Sequence, residues 1–201
     1  MILIGILIAK IIFATVLTFV GSLWIDKLYA GSTELTFPEK ISSRSKFRKP
    51  ILFFALSIFS LTGDFWIMAA GFLLVLMTLT DFEQFMLFDA MTFPLALLGA
   101  AYAWQNSTLA ENFLAALVGG GIFALFAILS KGSLGGGDVK LIFALGMWLG
   151  AEKLLNVVFF GTVAGGAAAV AMILFEKKNR KSYFAYGPYF TAAAIYFLLT
   201  A

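Results

Sequence analysis

Two aspartates, Asp81 and Asp138, carry the chemistry this sequence can offer. Each stands where an apolar run meets a polar connection, in Thr78-Leu-Thr-Asp81-Phe-Glu83-Gln-Phe-Met-Leu-Phe-Asp89 and in Gly135-Gly-Gly137-Asp138-Val-Lys140-Leu. Two carboxyls held together cannot both ionise cheaply, so they share a proton. Such a pair can draw a proton from water with one member and deliver one to a leaving group with the other. The chain has no Cys and no His. Disulfides, thiolate zinc sites, Cys nucleophiles and Ser–His triads are therefore excluded, and the proposed chemistry needs no metal.

Asp81 needs a partner from another segment. On one helix, Asp81 and Asp89 would differ by about 80° in direction and about 12 Å in height, too far to share a proton. Asp138 is the obvious candidate. The glycines before it lack Cβ atoms, so Gly135 and Gly137 let another backbone come close to its carboxylate, as an extended substrate would. The competing account is a flexible loop in which Asp138 caps a helix. No Gly-Lys-Ser/Thr follows these glycines, which argues against a phosphate loop. Asp89 reads as a cap or loop residue. Glu83 and Asp89 could receive the cations of a basic substrate, or could simply face water.

The elements that hold these residues must lie in lipid. The chain of 201 residues is 62% hydrophobic and 12% charged, with a mean hydropathy of +0.98, whereas soluble domains are about 45–50% apolar and about 25% charged. An all-α, polytopic membrane fold of about eight transmembrane helices is expected. The spans fall near 2–24, 50–62, 65–79, 86–104, 113–130, 141–150, 154–175 and 189–200, with a turn at Gly63-Asp64. The sixth is short unless it begins inside the Gly-rich connection. The first run lacks a basic start and contains Lys10, so it reads as a permanent helix rather than a cleaved leader. Gly146-x-x-x-Gly150, Gly161-x-x-x-Gly165 and Gly119-Gly120-Gly121 read as close-packing sites between helices.

Charge placement orients the bundle. Lys27, Lys40, Arg44, Lys46, Arg48 and Lys49 occupy the first loop, and Lys177, Lys178, Arg180 and Lys181 the seventh. Eight spans place both loops on the side of Asp81 and Asp138, which positive-inside bias makes cytoplasmic, with both termini outside. The opposite loops carry Asp64, Glu111, Glu152 and Lys153. The basic loops need only set orientation, with contact to anionic headgroups of membrane lipids. No nucleic-acid partner is expected.

These motifs resemble the type IV prepilin peptidases. Asp81-x7-Asp89 followed by Thr92-Phe93-Pro94 is similar to their first aspartate motif, and Gly135-Gly-Gly137-Asp138-Val-Lys140 with Ala144-Leu-Gly146 to their GxGD motif and its continuation. Tyr186-Gly187-Pro188-Tyr189 and Val20-Gly21-Ser22-Leu23 resemble their C-terminal Gly-Pro segment and the end of their first helix. The resemblance implies a membrane aspartic peptidase of the inner membrane with Asp81 and Asp138 as the catalytic pair. It implies cleavage of short basic leaders from prepilins or pseudopilins, in type IV pilus or type II secretion systems. It implies that many members also methylate the new N-terminus with S-adenosylmethionine. Bifunctional members carry Cys pairs that bind zinc in the first cytoplasmic loop, where this chain has Ile41-Ser-Ser-Arg-Ser-Lys-Phe-Arg-Lys-Pro50. Residues 1–49 are accordingly expected to be a first helix plus a reduced, Cys-free counterpart of the methylation region, and 50–201 the peptidase core.

Two alternatives stay open at this stage. A proton-coupled transporter or channel could use Asp81 and Asp138 as an ion relay, although no internal repeat is evident. A presenilin-like protease shares the GxGD pattern, but there a Tyr commonly precedes the first aspartate, and here Thr80 does.

Overall fold

The computed structural model describes residues 2–130, 134–175 and 185–200, and these are helical with short links. In chain order they form α1 (Ile2–Gly31), a 3-10 turn (Pro38–Lys40), α2 (Ile41–Arg44), α3 (Arg48–Thr62), α4 (Phe65–Gln84), α5 (Asp89–Gln105), α6 (Leu109–Leu129), α7 (Gly136–Phe175) and α8 (Gly187–Leu199). Lys131 of the Gly-rich connection and the cations Lys177, Lys178, Arg180 and Lys181 fall outside the described residues.

Local chemistry explains the boundaries. Pro50 sits in the first turn of α3, where a missing N–H does no harm. The turn expected at Gly63-Asp64 is present. Gly63 ends α3 at φ 71°, and the Asp64 carboxylate caps α4 by accepting from the Ile67 N–H at 2.9 Å. The helix that carries Asp81 runs farther than its apolar stretch suggests. It continues through Asp81 to Gln84, so Asp81 belongs to its last turn rather than to the following link.

Among the described residues, four helices are long and apolar enough to cross a membrane: Ile4–Gly31, Phe65–Gln84, Leu109–Leu129 and Gly136–Phe175. α8 is apolar but shorter. The sixth and seventh expected spans correspond to the two helical segments of α7, which are divided at Gly150 (φ 68°, ψ −174°). That backbone region is essentially reserved for glycine. At about 1.5 Å per residue, α7 would be about twice as long as a 30 Å hydrocarbon core if straight, and Gly150 divides it into two shorter helices. The start of α7 inside the Gly-rich connection lengthens the short sixth span.

α4 is the central helix, 56% buried against 22% or less for the other three long spans. α3, α5 and α8 pack against it, α1 lies along α3, and α6 lies along α7. Its Leu74, Leu76 and Met77 belong to the same fully buried core as Leu141, Ile142 and Leu145 of α7, with Leu76 lying against Gly21 of α1. The outer surface is apolar as well. Phe54, Leu97, Ile128 and Leu155 are each at least 69% exposed. In water such a surface would drive aggregation; in hydrocarbon it is the natural exterior. Lys10, the charge inside the first apolar run, reaches the α3 carbonyl of Leu61 at 3.2 Å.

Glycines set the spacing of the helices. A Cβ on Gly146 would lie 2.5 Å from Cα of Ala116, so α6 and α7 meet backbone to backbone. Gly99 makes room for the indole of Trp148, whose Nε1 donates to the Leu95 carbonyl at 2.6 Å. Gly161 and Gly165 receive Phe190, Tyr186 and Tyr189 of the α8 region. Gly150, by contrast, is the break rather than a packing contact. Asn112 of α6 lies against it and donates to the carbonyl of Met147 at 2.9 Å. Gly121 faces open space. Gly146→Leu is therefore expected to destabilise the protein by about 1–3 kcal/mol, while Gly121→Ala is neutral or stabilising by up to about 1 kcal/mol; denaturant titration in detergent checks both.

Candidate active site

Asp81 in the last turn of α4 and Asp138 in the first turn of α7 come together at one end of the bundle. Asp138 is near enough for its charge to reach Asp81. Asp81 is buried, 6% exposed, and its Oδ2 has no hydrogen-bond partner among the described residues. A buried carboxylate oxygen left without a partner costs free energy. The charge of Asp138 reaches this carboxyl, and two carboxyls that feel each other's charge do not both ionise cheaply.

α8 closes the third side. Its first residue, Gly187, turns its backbone toward the Asp81 carboxylate. A Cβ there would lie 2.6 Å from Oδ2 and 3.2 Å from Cγ of Asp81. One turn away, the hydroxyls of Thr78 and Thr191 lie 2.7 Å apart. Thr78 precedes Asp81 by one turn and Thr191 follows Gly187 by one turn, so this bond fixes the antiparallel register that puts Gly187 on Asp81. Leu87, in the link between α4 and α5, fills the gap between two glycines. A Cβ on Gly137 would lie 2.9 Å from Leu87 Cβ, and one on Gly187 would lie 3.4 Å from Leu87 Cδ1. Gly135 offers bare backbone to Asp138: a Cβ there would lie 3.3 Å from Oδ2. The Asp138 N–H donates to the Gly135 carbonyl at 3.1 Å, which shapes the entry to α7.

The other acids lie elsewhere. Asp89 opens α5 and is bound by Lys140 of α7, with Nζ 2.6 and 2.8 Å from its two oxygens. Both side chains are half exposed, so this is a surface staple between α5 and α7 of modest strength. Glu83 takes neither of the roles expected for it, cation receptor or water-facing acid. It is 3% exposed and engaged by the equally buried Arg48, with Nη2 2.5 Å from Oε2 and Nε 2.9 Å from Oε1. The Tyr29 hydroxyl adds a bond to Oε2 at 3.0 Å, and Arg48 also binds Asp26. The reason is helical phase: α4 continues past Asp81, and its 83 position points at α1 and α3 rather than outward. Gly187 and Leu87 were not singled out as site residues in the sequence. The Gly-Pro pair that opens the last helix was the available signal for the first; an ordinary leucine in a link gives none.

The fold defines an all-helical integral membrane protein in which Asp81 ends one helix and Asp138 opens another. The chain belongs to the type IV leader peptidase family, whose profile matches residues 67–170 and so spans both aspartates. It is 32% identical over 142 residues to the prepilin leader peptidase/N-methyltransferase of Neisseria gonorrhoeae, covering 65% of this chain and 48% of the relative. Similarity to the enzyme of the same name from Aeromonas hydrophila is 28% over 127 residues, covering 60% and 44%. Leader peptidase HopD of Escherichia coli is 34% identical over 127 residues, 59% of this chain and 82% of the relative. The aligned region is thus a little under half the length of the two methyltransferase-bearing relatives. No solved structure matches the chain.

Removing one member of a buried ion pair strands the other. Glu83→Ala is expected to destabilise the protein by about 3–5 kcal/mol, and Glu83→Leu combined with Arg48→Met by clearly less. Thermal unfolding in detergent, read for the single and double variants, checks the order.

Proposed function

We propose that the chain is a membrane aspartic endopeptidase that removes the short basic leader of type IV prepilins or pseudopilins at the cytoplasmic face. The observation that carries this reading is that Asp81 and Asp138, from separate helices, lie within reach of each other's charge, with Oδ2 of Asp81 buried and without a hydrogen-bond partner among the described residues. The relatives named as prepilin leader peptidases support the substrate class.

The site suits an extended peptide. Gly135 and Gly136 are exposed beside Asp138 and present no side chain to a substrate backbone. An apolar cavity of about 270 Å3 lies between α5, α6 and α7, lined by Thr92, Phe93, Gly120, Val139 and Phe143. It begins one residue beyond Asp138 and could take apolar side chains of the substrate's helix. In the proposed mechanism, the ionised member of the pair removes a proton from water, and that water attacks the scissile carbonyl. The protonated member hydrogen-bonds the developing oxyanion. Collapse of the tetrahedral species breaks the C–N bond, and the amine leaves with a proton returned by the pair. Gly187 and the Thr78–Thr191 bond contribute by fixing where Asp81 points.

Orientation follows from charge. Arg44 and Arg48 bind the last turn of α4, which places the first-loop cations at the same end as the two aspartates. Under positive-inside bias that end is cytoplasmic. The termini would then be outside if the apolar helices cross eight times. Methyl transfer from S-adenosylmethionine is the second half of the proposal and is independent of the first.

The test is incubation of the purified protein with a synthetic prepilin, with and without S-adenosylmethionine, followed by mass measurement. Leader loss in both arms is the expected result, and a product heavier by one methyl group with the cofactor assigns the transferase as well. Asp81→Ala and Asp138→Ala are each expected to lower kcat by at least about 10^2–10^4-fold, with helix content by circular dichroism unchanged. Normal processing by either variant overturns the assignment. Gly187→Ala is expected to lower kcat about 10^2-fold, because its Cβ would displace the Asp81 carboxylate; wild-type kcat in that variant contradicts the geometry described for α8.

A further inference from the structure

The segment between α1 and α3 reaches across the bundle and takes hold of the turn of α4 that contains Asp81. The last carbonyls of any helix lack partners within it. In α4 the Asp81 carbonyl accepts from the Phe85 N–H at 2.9 Å, with Phe85 in the left-handed region at φ 53°. The next two carbonyls go to a single side chain. Arg44, at the end of α2, donates from Nη2 to the Phe82 carbonyl at 2.5 Å and from Nε to the Glu83 carbonyl at 2.6 Å. Its guanidinium lies against two rings, 4.4 Å from the centroid of Phe37 and 5.3 Å from that of Phe85. Those rings themselves meet edge to face at 5.3 Å. The following residue, Gln84, is fully buried, and its amide pairs with the Phe37 backbone at 2.8 Å to N and 3.2 Å to O. Residues 82, 83 and 84 are thus each tied to the 37–44 segment, immediately after Asp81.

We infer that Arg44 is a positioning residue for Asp81: it fixes the last turn of α4, and through it the aspartate carboxyl, relative to Asp138. The inference rests on the peptidase reading of that pair. The chemistry of Arg44 suits the task. A cation is favoured at a helix C-terminus, and only a planar fork can serve two adjacent carbonyls in fixed geometry. A lysine keeps the charge and loses the fork. Arg44 also differs from Arg48 in a way that makes it testable. Arg48 and its partner Glu83 are both 3% exposed, so loss of Arg48 strands a buried charge. Arg44 is partly exposed and bonds neutral carbonyls, so its removal strands none. A displacement of about 1 Å at a reacting group can lower a rate about 10^2-fold.

Arg44→Ala and Arg44→Lys, with Lys46→Ala as a surface control, are compared in cleavage of a synthetic prepilin and in backbone hydrogen exchange. Both Arg44 variants are expected to lose about 10–100-fold in kcat with KM changed by no more than about 2-fold, while the control keeps both. Free guanidinium ion at millimolar concentration restores part of the kcat of Arg44→Ala and leaves the control unchanged. Amides of residues 80–85 exchange faster in the Arg44 variants, while those of 66–78 do not. Wild-type kcat in Arg44→Ala, loss confined to KM, failure of guanidinium to rescue, or faster exchange along all of α4 overturns the inference. Should Arg44→Ala not fold, Arg44→Lys decides by kcat and exchange. If the wild-type protein itself cleaves no prepilin, the peptidase reading falls. The exchange pattern then decides alone: local acceleration at 80–85 sustains the clamp, and unchanged exchange removes it.

Discussion

A carboxyl that is buried beside another carboxyl, at the end of a helix, constrains everything packed around it. Asp81 is 6% exposed, and one of its oxygens has no hydrogen-bond partner among the described residues. Such a group persists only where the surrounding structure over-determines its position. Here three elements do so. α7 brings Asp138 to it, α8 brings the backbone of Gly187, and the short segment before α3 fastens the carbonyls that follow it. The packing of α4 at the centre of the bundle, with Leu74, Leu76 and Met77 fully enclosed, supplies the rigidity against which these contacts act.

Close approach is achieved by leaving side chains out. At Gly137 and Gly187 a Cβ would collide with Leu87 or with Asp81 itself, and at Gly146 it would collide with the backbone of α6. Helices in lipid have little hydrophobic drive toward one another, so van der Waals fit at small residues does much of the joining. The glycines near the site therefore do two jobs. They let helices meet, and they leave bare backbone beside the carboxylates.

The polar groups of the bundle divide by depth and exposure. Arg48, Glu83 and Tyr29 form a buried network that ties α1, α3 and α4 together below the first loop. Lys140 and Asp89 form an exposed staple between α5 and α7. Arg44 is intermediate, part exposed and resting against two aromatic rings. Through Arg44 and Arg48 the residues between α1 and α4 are fastened to the helix that carries Asp81.

The sequence by itself determined the class of fold, the turn at Gly63-Asp64 and the family, because apolar runs, turn residues and a Gly-rich aspartate motif are local patterns. It placed Asp81 just past the end of its helix, because hydropathy stops there; the backbone hydrogen bonds continue to Gln84. That difference of one turn decided the fate of Glu83. Only the tertiary structure revealed that its side chain points inward to Arg48, since a partner 35 residues away leaves no mark on local spacing. The same holds for Gly187, Leu87 and Arg44, whose roles arise from which helix ends meet. Gly150 and Gly146 share one motif four residues apart, yet one breaks a helix and the other joins two. Spacing can say that glycine is tolerated at both; the neighbours in space decide why it is there.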